Sequence, residues 1–211
     1  MIQTWDLQNT VNSKAATVFQ VWYDSLEHQV WYDELTQQDS VVYEWPSEYT
    51  LADALTKDSL FSFIDDVRTP ATETIFQLFA ASLKAATVEL LKMEKENTLD
   101  WAVHKNTTVY HILKDAVMPF ARKGLQIGGG KHIINATQHS HGPSWRMVVH
   151  LTNETEAYVV YPGGQSGNPG SKYYDQFIDK WAAGEYYKAW VMKKGEEKNE
   201  KVKWTMSFKK A

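Results

Sequence analysis

Four histidines, His132, His139, His141 and His150, lie close together along the chain. Imidazole nitrogens ligate metals and carry protons, so this cluster raises the question of a metal centre. Such a centre needs three or four converging ligands, each oriented by a further hydrogen bond. His139 and His141 share one side if the chain is extended. No carboxylate stands beside them at a recognisable spacing, and no His-Glu-x-x-His helix occurs. Loop histidines satisfied by their neighbours are therefore expected, with no metal ligand and no cofactor in this chain. Ser144 and Ser166 are candidate nucleophiles, but neither sits in a Gly-x-Ser-x-Gly elbow, and the sequence places no base beside them. The loop from Pro162 to Ser171 could cradle a phosphate through its backbone N–H groups, yet it lacks the Gly-Lys-Ser/Thr ending of such loops. A structural role is expected instead: glycine permits positive φ there, and Gln165, Ser166 and Asn168 can satisfy turn backbone groups. Adjacent carboxylates, as in Asp33-Glu34 and Asp65-Asp66, do not face each other on a helix, so both pairs read as surface acids and caps.

The composition narrows the setting. With 211 residues the chain can bury a substantial core, and its net charge of −4 argues against nucleic acid or an anionic membrane as partner. The absence of cysteine excludes disulfides and thiolate metal sites. No apolar run approaches the roughly 18–20 residues of a membrane span, and the polar segment 1–10 does not read as a signal peptide. Nine tryptophans and eleven tyrosines are a heavy aromatic load, suited to surfaces that meet more protein or a ligand.

Elements that could position these residues follow from periodicity. Asn12 or Ser13 can cap a helix whose stripe Val18, Trp22, Leu26 and Val30 runs to about Leu35. Residues 37–50, with Pro46, read as a loop, followed by short helices over 51–56 and 59–65. Thr69-Pro70, with Glu73 in the first turn, predicts the start of a long helix. Its stripe is Ile75, Phe79, Leu83, Ala86, Leu90 and Met93, and it ends near Glu96-Asn97. Another helix is expected over 109–120. After Gly124 the pattern changes to strands over 145–151 and 157–161, a helix over 173–183 closed by Gly184, a solvated charged stretch over 193–201, and a last strand over 202–208. The class is α+β, a single unit of 1–211 with a mainly helical part to residue 123 and a strand-rich part from 124.

Three stretches are distinctive: Gly128-Gly-Gly-Lys-His-Ile-Ile-Asn-Ala136, His141-Gly-Pro-Ser-Trp-Arg-Met-Val-Val-His-Leu151, and Tyr161-Pro-Gly-Gly-Gln-Ser-Gly-Asn-Pro-Gly-Ser-Lys-Tyr-Tyr-Asp175, with Trp181-Ala-Ala-Gly-Glu-Tyr186 after them. In this order they resemble the end of the β chain in the penicillin acylase family of N-terminal-nucleophile hydrolases. Weaker likenesses (Ala15-Ala16 with Phe19 and Trp22, Asp65-Asp66, Thr72 to Thr74, and Trp101 with His104 and His111) extend the resemblance over most of the chain.

The resemblance implies an αββα sandwich, of which this chain would supply two or three antiparallel strands and outer helices. It implies hydrolysis of an acyl-amide bond by an N-terminal residue whose own α-amine, titrating near pH 8, acts as base. In the family that nucleophile, its oxyanion asparagine and the calcium ligands lie upstream of these motifs. The chain begins Met1-Ile2, and removal of Met1 would expose a residue with no nucleophilic atom. The isolated chain is therefore expected to be inactive, with no catalytic residue of its own. Asn135 matches the family's late Asn-Ala pair and not its oxyanion asparagine. It is grouped with Arg146, Gln165, Ser166 and Asn168 as residues with a structural or supporting role, the loop of the last three being the one that could support the nucleophile's surroundings in a complete enzyme. His150 departs from the family, where an acidic residue commonly follows the two valines. The implied partners are the α chain and the N-terminal part of the β chain, with a small N-acyl substrate and a periplasmic or secreted setting. The competing expectation is a non-enzymatic, truncated or partner-binding module that uses its aromatic surface. Either way, uncovered apolar surface where the rest of a sheet would pair favours self-association.

Overall fold

The first long helix begins where the sequence offers a cap: Ser13 Oγ accepts the Ala16 N–H at 3.3 Å, and α1 runs over Lys14–Leu35. The computed structural model describes residues 1–35, 44–58 and 61–210, so the first half of the expected 37–50 loop and the start of the expected 59–65 helix lie outside the described residues. Helix α2 (Glu48–Lys57) starts earlier than expected because the Ser47 side chain caps it, accepting from Thr50 N–H. Of the next expected helix, the described part is a single 3-10 turn, Ser62–Ile64.

Helix α3 covers Ile75–Lys95 and corrects the expected start at Thr69-Pro70. Thr74 and Gln77 form a reciprocal capping box, with Thr74 N–H donating to Gln77 Oε1 at 2.8 Å, and this cap outcompetes the proline signal. Residues 65–73 form a turn tied by carboxylates: Asp65 accepts the Glu73 N–H at 2.8 Å, and Glu73 accepts the Asp66 N–H at 2.9 Å and the Thr69 hydroxyl at 2.7 Å. Asp33 joins them by accepting the Val67 N–H at 2.8 Å. It is buried, not a surface acid, because a carboxylate can enter the interior when it receives a backbone donor. Helices α1 and α3 pack together through Val21 and Ala86, with Trp22 Nε1 donating to Ser82 Oγ at 3.0 Å. A second cluster joins Leu26, Val30 and Trp31 to Leu51, Ile64 and Leu78. Leu83, expected on the buried stripe, is exposed: the inner face of α3 is set by Leu78, Ser82, Ala86 and Met93.

The expected helix over 109–120 does not form. Val109 instead makes an isolated antiparallel bridge with Arg122, and residues 114–120 are a 3-10 segment broken at Val117. An amphipathic helix draws its stability from a packed face. Here Ile112 and Leu113 stay exposed, and Pro119 removes a backbone donor. Helix α4 (Trp101–Lys105) is short and ends at Asn106 in the left-handed conformation.

The second half is an antiparallel sheet in the order β1-β2-β3, formed by Arg146–His150, Glu156–Val160 and Tyr187–Ala189. Arg146 lies opposite Val160 and His150 opposite Glu156, so the expected Asn153-Glu154 turn closes a hairpin. The short β3 is absent from the sequence expectations. The expected strand over 202–208 is not a strand: its backbone has no ladder partner among the described residues, and Trp204, Met206 and Phe208 stay exposed. Helix α5 (Ile178–Ala183) starts later than residue 173 because Ser171 and Asp175 turn the chain first, and Gly184 ends it at φ +74. Leu125, Ile127, Val160, Ile178 and Trp181 form the core of this half. Among the described residues no helix is long and apolar enough to cross a membrane.

One consequence concerns Glu27 on α1. Burial first, then the Glu48 and Asp24 carboxylates, push its carboxyl up to about 7 from 4.5. The folded state therefore holds a proton that the unfolded chain releases, and stability falls as pH rises from 4.5 through 7. Glu27→Gln is expected to stabilise the protein at pH 8 by on the order of 1 kcal/mol, after allowance for solvent screening, and to flatten this slope. Urea unfolding at pH 5 and pH 8 checks both.

Candidate functional site

The glycine turn 128–130 is built around its carbonyls. Three side chains donate to Gly128 O: Lys105 Nζ at 2.9 Å, Thr137 Oγ1 at 2.6 Å and Asn135 Nδ2 at 3.2 Å. Gly129 O receives Trp101 Nε1 at 2.6 Å and Lys105 Nζ at 3.3 Å. Lys105 Nζ also reaches Thr137 Oγ1 at 2.6 Å. Gly129 adopts φ +93, and a Cβ there would collide with the Asn135 carbonyl, so no other residue fits without displacing the turn. The N-terminal segment closes the far side, where Asn9 O accepts the Gly129 N–H at 2.8 Å.

Arg146 extends this network into the sheet. Its Nη2 donates to Asn135 Oδ1 at 2.7 Å, its Nη1 donates to Trp181 O at 2.7 Å, and its guanidinium stacks over the Trp181 ring at 5.0 Å. Trp181 Nε1 in turn donates to Pro143 O at 2.9 Å. Asn135 is thus a two-way clamp, its amide on the glycine turn and its carbonyl on Arg146. Burial pulls the Arg146 guanidinium below its ordinary value, though an arginine stays cationic in proteins. Burial also lowers the Lys105 ammonium to about 8. The network is a buried, doubly cationic frame neutralised by carbonyl dipoles.

The glycine-rich loop is held separately. Ser166 Oγ accepts the Asn168 N–H at 3.1 Å, and Asn168 Oδ1 accepts the Gly170 N–H at 2.9 Å. The Gln165 side chain is exposed and makes no hydrogen bond among the described residues. The Ser166 N–H bonds Tyr173 O at 3.1 Å, the Phe177 N–H bonds Gly163 O at 3.0 Å, and a Cβ at Gly164 would collide with the Tyr173 carbonyl. The structure brings Asn135 and Arg146 together, and among the described residues Gln165, Ser166 and Asn168 make no side-chain hydrogen bond to either.

The histidines spread apart. His132 pairs with Glu48, His139 Nε2 meets Tyr110 Oη at 2.9 Å, His141 Nδ1 meets Ser140 Oγ at 3.0 Å, and His150 ends β1. Among the described residues no three His, Asp or Glu side chains gather in a way that could hold an ion. The Ser144 hydroxyl has no hydrogen-bond partner among the described residues, and Ser166 is spent on its own turn. Sequence reading missed Lys105 and Thr137, and it named Trp101 only as a weaker family likeness and not as a member of the network. The one signal available was the four-residue spacing of Trp101 and Lys105, which puts both on one face of α4. Arg122 was also missed: it forks between Asp175 and Asp179, both at 2.5 Å, and ties the 107–125 segment to the start of α5.

This frame carries the motifs of a hydrolase family. A family model described as Penicillin amidase matches residues 1–198, nearly the whole chain, and the chain belongs to that family of N-terminal-nucleophile hydrolases. No curated protein matches the chain. The helical first half and the antiparallel sheet of the second half agree with an α+β fold of this kind.

Proposed function

We propose that this chain is the C-terminal part of the catalytic subunit of an amidohydrolase that cleaves acyl-amide bonds through an acyl-enzyme. The family match over residues 1–198 carries this reading. An N-terminal nucleophile from the upstream polypeptide attacks the amide carbonyl, its own α-amine takes the proton, and water then releases the acid. This chain supplies the frame. Residues 1–211 act as one unit whose three strands form one edge of an αββα sandwich. Asn135 and Arg146 lock the glycine turn against the sheet, while Gln165, Ser166 and Asn168 shape the loop beside it. The partners are the α chain and the N-terminal part of the β chain. The substrate is a small N-acyl compound, such as a β-lactam side chain or an acyl-homoserine lactone, and the assembled enzyme works in the periplasm or outside the cell.

Among the described residues no strand pairs with the outer edge of β1, which supports a missing partner. Met147, Val148 and Val149 are all substantially exposed along it, and Trp145 and Leu151 flank it in the same state. Strand edges of this kind pair with other chains. Alone, the chain is expected to oligomerise with concentration and to bind a dye for apolar surface. Val148→Lys is expected to shift sedimentation towards monomer. A wild-type monomer at high concentration that binds no dye would count against an unfilled edge.

The function itself is tested with a mixed panel of chromogenic N-acyl substrates, on the purified chain and on the chain co-expressed with the upstream polypeptide. No turnover alone and turnover on assembly is the expected result. Turnover by the isolated chain that survives replacement of Ser144 and Ser166 would overturn the reading. Tight assembly without turnover on any amide would favour a partner-binding module.

A further inference from the structure

Residues 107–114 and 140–144 face each other across a cleft of about 470 Å³ that borders the frame described above only at Trp181. That volume falls in the range of small-molecule sites, roughly 300–1,000 Å³. The lining divides by chemistry. His111, Lys114 and His141 bring every ionisable group except one phenol, and no carboxylate is present among the lining residues. Val109, Ile112 and Pro162 supply apolar walls, with the edge of the buried Trp181 behind them.

Several donors in this cleft are unspent. His111 Nδ1 accepts the Leu113 N–H at 3.1 Å, so a neutral ring carries its proton on Nε2, which has no protein partner among the described residues. His141 uses only Nδ1, on Ser140. The Ser144 hydroxyl is unpaired among the described residues, and deeper in the cleft Thr107 Oγ1 is buried without a hydrogen-bond partner. Lys114 holds φ +38, a strained conformation for a residue with a side chain. Native structures rarely leave buried polar atoms unpaired without a reason.

We propose that this cleft binds a small carboxylate carrying an apolar tail, with the carboxylate among His111, Lys114, His141 and Ser144 and the tail against Val109, Ile112 and Pro162. Lys114 supplies a positive charge, the imidazoles supply N–H donors and no acid is among the described lining residues, and this combination selects an anion. The apolar walls select an organic anion over phosphate, which would leave them wet. The acid released by amide hydrolysis belongs to this chemical class, but the inference rests on the cleft's own lining and stands without the hydrolase reading.

The test is calorimetric titration of the full chain with hexanoate, with 1-hexanol as the neutral isostere, and with inorganic phosphate. Hexanoate is expected to bind saturably and about tenfold more tightly than either comparison ligand. His141→Gln and Lys114→Gln, both at the open rim, are each expected to weaken hexanoate several-fold while leaving the thermal melt unchanged. Ile112→Ser is expected to weaken hexanoate but not phosphate. Equal binding of hexanol, equal binding of phosphate, indifference to both rim variants, or no heat from millimolar hexanoate would each overturn the proposal. Because binding is read without turnover, an inactive chain leaves the result interpretable.

Discussion

Trp181→Ala is expected to lower the unfolding free energy by about 3–5 kcal/mol, the range for removing a buried large aromatic. Trp181 is 1% exposed and packs with Leu125, Ile127, Val160 and Ile178. Its ring is also the platform for Arg146 at 5.0 Å, and its Nε1 bonds Pro143 O at 2.9 Å. The truncation therefore opens a cavity, leaves a carbonyl short of a donor and frees the guanidinium that orients Asn135. Trp181→Phe separates these contributions. It keeps most of the apolar volume and loses the N–H, so its cost is expected to fall to about 1–2 kcal/mol. Urea denaturation of the three proteins gives the comparison. A loss below about 1 kcal/mol for the alanine variant would mean that the site collapses around the gap and that Trp181 does not anchor the strand half.

The position of Trp181 was half legible in the sequence. Its place in a helix closed by Gly184 follows from periodicity and from the glycine. The start of that helix did not, because Ser171 and Asp175 make local turns that compete with helix. The same contrast runs through the chain. The α1 stripe and the β1–β2 hairpin were readable because each repeats a period over many residues. The start of α3 was misread because two cap signals lie close together, and the Thr74–Gln77 box wins over Thr69-Pro70 once Glu73 is drawn into the 65–73 turn. The 109–120 segment has helical spacing but no surface to pack on. The 202–208 segment has strand alternation but pairs with no strand among the described residues. Both failures are long-range, since a periodic pattern states which face wants burial and not whether anything arrives to bury it.

The candidate site divides in the same way. Asn135 and Arg146 stood out through the motifs, and the structure joins them at 2.7 Å. Lys105 did not, because a lysine near a helix end ordinarily marks a solvated C-terminal turn. Its burial depends on the glycine turn, more than twenty positions downstream, folding back so that two carbonyls point at the ammonium.

That burial has a measurable pH signature. The Lys105 ammonium falls to about 8 in the folded chain from 10.5, with desolvation as the cause. Below pH 8 both states are charged, and the fold bears the full cost of the buried cation. Between 8 and 10.5 the unfolded chain holds the extra proton, so stability rises with pH as this cost is relieved. Tyr23 works in the opposite sense, since burial and then Glu27 push its phenol up to about 12 from 10.0, but that effect begins only near pH 10. The window from 8 to 10 therefore isolates Lys105. Lys105→Met keeps the apolar stem, and both carbonyls retain another donor, Trp101 on Gly129 O and Asn135 and Thr137 on Gly128 O, while Thr137 Oγ1 loses its Lys105 donor but still donates to Gly128 O. Relative to this variant, the wild type is expected to gain about 2 kcal/mol between pH 8 and pH 10. Lys105→Ala lacks the stem as well and is expected to cost a further 1–3 kcal/mol, roughly, at every pH. Parallel pH profiles for wild type and Lys105→Met would show that the amine stays hydrated and that the glycine turn is held without a desolvated charge beneath it.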